Sequence, residues 1–197
     1  MSIETDLWPF VPALWFTKTD PGAKRAVRVV VVHTAEFPEM LKAARGIAQY
    51  FVNPRDAQGR PVKASAHVSI DHEEIIQSVR DNDVAYAAPG CNHDGIQIEL
   101  AGRASQNAAQ WDDTYSRAML NLAANVCGQY CLKYSVPPVH LTNAQLLAGA
   151  KGVVGHDQVS AVYKRSTHTD PGSAFNWPAF VESVQAYHAA RRLQVSP

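Results

Sequence analysis

The chain has 197 residues, 46% of them hydrophobic, and its 18 basic and 18 acidic residues give a formal net charge of zero. This size supports one hydrophobic core in a single domain, and the balanced charge provides neither the basic excess typical of nucleic-acid binding nor the acidic blocks typical of disordered tails. No run approaches the roughly 18 apolar residues of a membrane-spanning helix, and residues 1–6 lack the features of a secretory signal, so we expect a soluble chain without signal peptide or membrane insertion.

The N-terminal part of the chain predicts an extended arm, a buried strand and a helix. Two prolines within residues 8–12 disfavour a helix there, and we assign residues 1–25 to an N-terminal extended arm. Four consecutive valines at 29–32 are typical of a strand buried on both faces. Apolar side chains then recur at helical spacing until Asn53 and Pro54 end the helix. That stripe comprises Met40, Ala44, Ile47, Ala48 and Phe51.

Three further strands are predicted between residues 67 and 100. Residues 67–70 and 75–79 have strand-like composition and are joined by a polar turn at 71–74. From residue 96 to 100, aliphatic residues alternate with Gln97 and Glu99. This alternation predicts a strand with one apolar face and places Glu99 on the opposite face.

The C-terminal half predicts a long helix, a short helix and a final helix. The long helix covers about residues 112–134, the short one covers 142–148, and residues 152–169 are interpreted mostly as loop. In the last helix, Asn176 is the predicted N-cap and Pro178 lies in the first turn. Interspersed strands and helices indicate an α/β fold with a central mixed β-sheet packed by helices. We assign this domain to residues 26–188 and a C-terminal tail or linker to residues 189–197.

Histidine and aspartate residues at three places suggest a metal site. His33 follows the valine strand, at the edge where open α/β sheets tend to bind ligands, and His156 follows another short apolar run. His168 and Asp170 are two residues apart, so they face the same side of an extended segment. Two histidines and one carboxylate form a known catalytic zinc set that leaves a fourth position for water, although each residue alone is more often structural.

Five segments in order resemble the type 2 N-acetylmuramoyl-L-alanine amidases, a family that includes phage endolysins, bacterial recycling amidases and the animal peptidoglycan recognition proteins. They are VVHT at 31–34, ASAHVSID at 64–71, NHDGIQIEL at 92–100, GH at 155–156 and TDPG at 169–172. The resemblance is collinear from about Val29 to Phe180. It implies the family's fold, with a zinc site at the edge of the sheet. It also implies hydrolysis of the amide between N-acetylmuramic acid and L-alanine in peptidoglycan.

The resemblance also implies roles for individual residues. It makes His33, His156 and Asp170 the ligands of Zn²⁺ and Glu99 the catalytic carboxylate. His168 stands where the recycling branch and the short phage lysozymes carry a lysine, and we expect it to act as a neutral hydrogen-bond donor to the oxyanion. We therefore treat Glu99 and His168 as the candidate catalytic residues.

Four further residues are candidates for substrate contact. They are Thr34, His67, Tyr86 and Asn92. For His67 a structural role is the alternative, because catalytic zinc keeps its fourth position open. Tyr86 lies in a loop where relatives often carry Trp-His-Ala-Gly, and it could pack against the sugar or the peptide of peptidoglycan.

Several functions remain open from the sequence. Residues 43–54 and 98–102 look more like amidase domains of actinobacterial phage endolysins, which implies a location in the host cytoplasm until release to the cell wall. The sequence does not determine the oligomeric state, and a monomer is our expectation. A bacterial muropeptide-recycling amidase and a non-catalytic peptidoglycan-binding module on the same fold are the alternatives. Competent residues at all three ligand positions favour an enzyme. An unrelated α/β protein with structural histidines is the remaining possibility, and bound metal would separate it from the others.

Overall fold

The computed structural model describes residues 8–195; residues 1–7 of the predicted arm and residues 196–197 lie outside the described part. Within it the chain forms a five-stranded sheet with six helices. In chain order the elements are β1 (Val29–Thr34), α1 (Ala43–Val52), β2 (Val68–Ile70), β3 (Ile75–Gln77), β4 (Gly95–Leu100), α2 (Ala108–Trp111), α3 (Thr114–Tyr134), α4 (Asn143–Leu147), β5 (Gly152–Gly155), α5 (His156–Tyr163) and α6 (Trp177–Val195).

The sheet is mixed, as predicted, with the strand order β3-β2-β4-β1-β5. β1 is parallel to both β4 and β5, β2 is parallel to β4, and only β3 is antiparallel to its neighbour. The valines of β1 are fully buried because this strand has neighbours on both sides and side-chain cores on both faces. The carboxyl ends of β4, β1 and β5 therefore lie side by side at one edge.

The two faces of the sheet are covered by different helices. On one face, Val30 and Val32 of β1 join the aliphatic residues of β4 in the larger core, to which α3 contributes Met119 and α6 contributes Val184. On the other face, Val29 and Val31 pack in a smaller core that includes residues of α4 and α5. The three aliphatics of β4 lie in the larger core, so Glu99 is on the smaller-core face, as the alternation predicts.

The long helices begin and end as their capping residues predict. The side chain of Asp113 accepts a hydrogen bond from Ser116 N at the start of α3, and Ser135 ends that helix in a left-handed conformation. Asn176 Oδ1 accepts from Ala179 N at 3.2 Å, which confirms the predicted cap of α6. α6 continues to Val195, so residues 189–195, which were assigned to a tail or linker, are helical.

Two local expectations are wrong. Residues 152–169, expected to be mostly loop, contain β5 and α5. β5 has only four residues, so its sequence is too short to show a period of its own. Met40, which was included in the α1 stripe, precedes the helix and is 51% exposed.

The described part of the N-terminal arm has no helix, and its first residues lie along the outer edge of the sheet. Val11 N donates to Gln77 O and Ala13 N donates to Ser78 O, each at 2.9 Å. These bonds cover the otherwise unpaired edge of β3. Across residues 8–195, no helix combines the length and the apolar character needed to span a membrane.

Candidate metal centre and active site

The candidate site lies where the parallel strands end. His33 of β1 is in register with Glu99 of β4, and Glu99 is in turn in register with Ser69 of β2. His156 directly follows β5 and is the first residue of α5. Residues in register on neighbouring parallel strands point to the same face of the sheet. His33, Glu99 and Ser69 therefore form one row on this face, and His156 lies beside the end of that row.

His33, His156 and Asp170 place their ligand atoms in a compact triangle. The two Nδ1 atoms of His33 and His156 lie 3.1 Å apart. Asp170 places Oδ2 3.3 Å from His33 Nδ1 and Oδ1 3.3 Å from His156 Nδ1. Two ligand atoms bound to Zn²⁺ at tetrahedral angles and usual bond lengths are separated by roughly 3.3–3.6 Å. The donor types and their spacing therefore fit a metal site with a fourth position for another ligand.

Neighbouring side chains orient the two imidazoles. His33 Nε2 lies 2.9 Å from Gln97 Oε1, and Gln97 Nε2 donates to Cys91 O at 3.1 Å, which sets the direction of the amide. With a metal ion bound, His33 would keep its proton on Nε2 for Gln97 and direct the Nδ1 lone pair toward the ion. His156 Nε2 contacts Ser166 Oγ at 3.3 Å and is oriented in a similar way.

The pKa of each of the three candidate ligands depends on burial and on the charges of its neighbours. Burial lowers the pKa of His33, but the nearby carboxylates of Glu99 and Asp170 outweigh it and raise the pKa to about 9. At His156, burial prevails, and with the charge of His33 it lowers the pKa to about 4. Burial raises the pKa of Asp170, but hydrogen bonds from the surrounding histidines outweigh it and hold the pKa well below the usual range. This centre favours positive charge, as a cation site requires.

Glu99 is a buried carboxyl group beside this centre. It is 8% exposed, and its Oε2 has no hydrogen-bond partner among the described residues. Burial raises the pKa of Glu99 to about 7, although the positive charge of His33 opposes the rise. A carboxyl group with a pKa near neutrality and a free oxygen can accept and release a proton during a reaction.

His168 lies at the outer side of the centre. Its ring stacks on His156 with centroids 4.2 Å apart, and its Nδ1 is 3.3 Å from Asp170 Oδ1. The hydrogen bond to Asp170 raises the pKa of His168. A neutral ring with its proton on Nδ1 would donate to Asp170, whereas a charged ring has a second N–H for the cleft. The role of His168 as a neutral donor stays a prediction, and a charged donor is the alternative.

A cleft of about 420 Å³ opens directly beside His168 and Asp170. It is lined by Glu36, Ala104, Ser105, Thr167, His168, Thr169 and Asp170. Gly172 allows one wall of this cleft to form. Its φ is 96°, and a Cβ at this position would collide with the carbonyl oxygen of Ala104. The loop that carries Asp170 can thus pack closely against the segment that follows β4.

The four residues expected to contact substrate occupy different places. Thr34 is in the site, where its backbone N–H donates to Asp170 Oδ2 at 3.3 Å. Tyr86 is half-buried, and its hydroxyl lies 2.5 Å from Thr17 Oγ1, so it holds the N-terminal arm. Asn92 Oδ1 accepts hydrogen bonds from the backbone of the loop at residues 87–88. None of these contacts places Tyr86 or Asn92 in the cleft beside the metal centre.

His67 has the structural role that was the alternative for it. It is fully buried, its Nδ1 accepts from Gln97 N at 2.9 Å, and its Nε2 lies 3.1 Å from Asp83 O. Burial, together with the charge of Arg25, lowers the pKa of His67 well below its ordinary value. The neutral ring supports the strand that carries Gln97, and it is not available to a substrate.

Glu36, Gln97 and Ser166 belong to the site but were not identified from the sequence. Gln97 lies on the same face of β4 as Glu99, so its face could have been predicted, but its partner His33 depends on the strand order. Glu36 and Ser166 lie in loops without a periodic pattern. Their positions follow only from contacts between distant parts of the chain.

The comparisons with known proteins agree with this architecture. The family model described as N-acetylmuramoyl-L-alanine amidase matches residues 23–173. Staphylococcus aureus hydrolase AmiA, solved in complex with its ligand, is 16% identical with a TM-score of 0.62, over 91% of this chain and 84% of that one. An AmpD derivative is 22% identical with a TM-score of 0.58, over 91% and 96%.

A third solved structure is N-acetylmuramoyl-L-alanine amidase LysC from Clostridium intestinale, which is 15% identical with a TM-score of 0.54, over 90% of this chain and 96% of that one. No curated protein matches the chain. At these identities the structural similarity shows a shared fold. The family match covers most of the chain and includes the whole ligand triangle. The chain therefore belongs to the N-acetylmuramoyl-L-alanine amidase family and is an amidase that acts on peptidoglycan.

Proposed function

We propose that the protein is a Zn²⁺-dependent amidase that hydrolyses the bond between N-acetylmuramic acid and the first L-alanine of the stem peptide, and that it serves as a phage endolysin. The observation that supports the metal dependence most directly is the triangle of ligand atoms from His33, His156 and Asp170, with separations of 3.1–3.3 Å. These separations are close to the edges of a tetrahedral zinc site.

His33, His156 and Asp170 would hold the ion, and Glu99 would transfer protons beside it. When bound, Zn²⁺ supplies Lewis-acid activation of water and of the scissile carbonyl group. Glu99 accepts the proton of the attacking water and delivers it to the leaving alanine nitrogen. Its raised pKa suits both steps, because the carboxylate is basic enough to take the proton and acidic enough to return it.

His168 contributes a hydrogen bond to the developing oxyanion. Its Nδ1 is engaged by Asp170, and the exposed side of the ring borders the cleft. A charged imidazole donor at this position stabilises the negative charge that forms on the carbonyl oxygen. A donor of this kind is worth about 3–4 kcal/mol of transition-state stabilisation in other hydrolases.

A catalytic role accounts for the buried carboxyl group better than a binding module on the same fold. Burying Glu99 with an oxygen that lacks a partner costs stability, and a module that only binds peptidoglycan has no use for a proton acceptor there. The complete set of three ligands also favours the enzyme, since a binding module does not need a metal that activates water.

The endolysin role is the finer part of the proposal, and a muropeptide-recycling amidase is the alternative. The similarity of residues 43–54 and 98–102 to phage amidase domains supports the endolysin. The two roles differ in substrate, because an endolysin cuts intact, cross-linked wall and a recycling enzyme cuts soluble fragments. The relative rates on these substrates therefore distinguish them.

The test is a digest of purified peptidoglycan with mass-spectrometric identification of the products. We expect stem peptides that begin with a free L-alanine, lost after chelation and restored by Zn²⁺. Parallel assays on intact sacculi and on soluble anhydro-muropeptides should show higher activity on sacculi. Intact wall after incubation with the zinc-loaded protein would contradict the proposed reaction, and a preference for soluble fragments would contradict only the endolysin role.

A further inference from the structure

Glu36 is a charged cleft residue that the proposed reaction does not use. It lies in the loop that follows β1, three residues after His33, and it lines the cleft together with His168 and Asp170. Its backbone adopts a left-handed conformation with a φ of 52°, which is uncommon for a residue other than glycine. Such conformations persist where the surrounding contacts determine them.

Two hydrogen bonds fix the carboxylate of Glu36 in the cleft. Its Oε1 accepts from Thr34 Oγ1 at 3.2 Å and from Ala104 N at 2.8 Å. The backbone N–H of Thr34 in turn donates to Asp170 Oδ2. The carboxylate of Glu36 is therefore connected to Asp170 of the metal centre through a single residue, Thr34. The Oε2 atom of Glu36 accepts no hydrogen bond from residues 8–195. One oxygen holds the loop, and the other is available to a bound molecule.

The charge of Glu36 changes the electrostatic balance of the site. His168 is the only basic residue that lines the cleft among the described residues, where Glu36 and Asp170 supply the carboxylates. Glu36 therefore supplies this part of the cleft with a negative charge that does not belong to the proposed ligand triangle. A substrate group beside Glu36 is therefore favoured if it is neutral or donates hydrogen bonds, and disfavoured if it is anionic.

The chemistry of the stem peptide identifies that group. The first residue, L-alanine, has no ionisable side chain. The second is a γ-linked D-glutamate, whose α-carboxyl group occurs either as the free acid or as the amide, D-isoglutamine. This carboxyl or amide is the first variable group beyond the scissile bond, about five covalent bonds from the alanine nitrogen. At that reach it can meet a residue that borders the metal centre.

We propose that Glu36 is a specificity-determining residue that selects stem peptides amidated at the second position over those with a free carboxylate there. The inference rests on the proposed reaction and deepens it. The amide would donate a hydrogen bond to Glu36 Oε2, whereas the free acid would face a fixed like charge. At about 4 Å, the separation that such a contact implies, and an effective dielectric constant between 20 and 80, this repulsion corresponds to a preference of roughly 5- to 1,000-fold.

The test compares two defined substrates, N-acetylmuramoyl-L-alanyl-D-isoglutamine and the corresponding D-glutamate acid. The wild-type protein should show a higher kcat/KM for the amide, within the range above. Glu36→Gln keeps an acceptor oxygen for Thr34 and Ala104 but removes the charge. The ratio of kcat/KM for the amide to that for the acid should therefore fall close to one, chiefly because kcat/KM for the acid rises.

The matched control is Glu39→Gln. Glu39 Oε1 accepts from Gln106 Nε2 and Ser116 Oγ near the same loop, but Glu39 does not line the cleft, so this variant should keep the wild-type ratio. A second readout is the affinity of the metal-free wild-type and Glu36→Gln proteins for each compound by calorimetry. The affinities should show the same change in preference.

The possible failures are distinguishable. If the wild-type protein cleaves both compounds equally, prefers the acid, or keeps its preference for the amide in Glu36→Gln, the inference is overturned while the proposed reaction stands. If neither compound is cleaved and the zinc-loaded wild-type protein also leaves peptidoglycan intact, the proposed reaction itself fails. Melting curves of both variants establish that they are folded.

Discussion

Charged side chains have different surroundings at the two edges of the sheet where the parallel strands begin and end. At the amino-terminal edge, Arg28 precedes β1 and its Nε lies 2.6 Å from Oδ2 of Asp94, which precedes β4. The other nitrogens of Arg28 donate to the hydroxyl of Tyr163 at 3.1 Å and to the carbonyl of Ala150 at 3.2 Å. At this edge the positive charge of Arg28 is paired with the carboxylate of Asp94 and with neutral acceptors of the protein.

At the carboxyl-terminal edge the charges lie among groups that can change protonation. The carboxylate of Asp170 faces the imidazoles of His33, His156 and His168, and the Nδ1 atoms of His33 and His156 are 3.1 Å apart. Each edge has a buried carboxylate oxygen without a hydrogen-bond partner among the described residues, Asp94 Oδ1 or Glu99 Oε2, and such an oxygen costs stability. The comparison teaches that a permanent charge paired within the fold stabilises one edge, while the titratable groups at the other edge are available for binding and chemistry.

The largest effect is expected from removing a ligand. Asp170→Ala should abolish zinc binding and lower activity by roughly 10³-fold or more, since the several kcal/mol supplied by the metal are lost. Zinc content measured by mass spectrometry and the release of stem peptides check this. Asp112→Ala, at an exposed carboxylate far along the chain, is the control and should retain zinc and activity. Retention of both zinc and activity in Asp170→Ala would show that the ligand set is wrong.

Glu99→Gln should separate function from stability at the same edge. We expect kcat to fall by about 10²- to 10⁴-fold because the proton acceptor is lost. The melting temperature should stay the same or rise, since a buried carboxyl group with an unpaired oxygen is replaced by a neutral group. Zinc content should be unchanged. A variant with nearly normal kcat would exclude Glu99 as the base.

His168 tests whether a positive donor is needed at the outer side of the centre. His168→Ala should lower kcat by about 10²- to 10³-fold, as for the loss of a single oxyanion donor in other hydrolases. His168→Lys should retain activity within about tenfold, because lysine also offers a charged N–H at this position. Full activity of the alanine variant would remove His168 from the mechanism.

The pH profile should reflect the burial of Glu99. Because the base must be ionised, and burial raises its pKa to about 7, activity is present above this pKa and is lost as the pH falls through it. A bound divalent cation lowers the pKa, so the acid limb of kcat/KM should lie at or below pH 7 with about a tenfold loss per unit. The limb should be absent in Glu99→Gln. A flat wild-type profile between pH 5 and 8 would contradict this assignment.

The smallest effect on activity is expected at the amino-terminal edge. Arg28→Ala should lower the free energy of unfolding by about 2 kcal/mol, because Asp94 and two other acceptors lose a charged donor, while kcat changes less than about twofold. Arg60→Ala, which removes an exposed pair with Asp56, is the control and should leave stability nearly unchanged. Chemical denaturation measures both. A large loss of activity in folded Arg28→Ala would contradict the assignment of a purely structural role to the amino-terminal edge.

The sequence by itself determined the elements whose patterns are long or complete within one segment. The valines of β1, the periodicity of α3 and the cap of α6 predicted these elements because periodicity and capping are local properties. The side of β4 on which Glu99 lies followed from alternation in the same way. The ligand set was identified because five short segments resembled a family, since spacing alone left structural roles open for each histidine.

Tertiary structure decided whatever depends on partners that are distant in the chain. β5 depends on pairing with β1 and on a bridge to His140. Gln97 orients His33 because β4 lies beside β1, and Glu36 is held in the cleft because the loop at Ala104 returns to it. His67 was a candidate for substrate contact until its position in the sheet showed that it is buried. Strand order and loop packing are set by the free energy of the whole core, and no local pattern in the sequence contains that information.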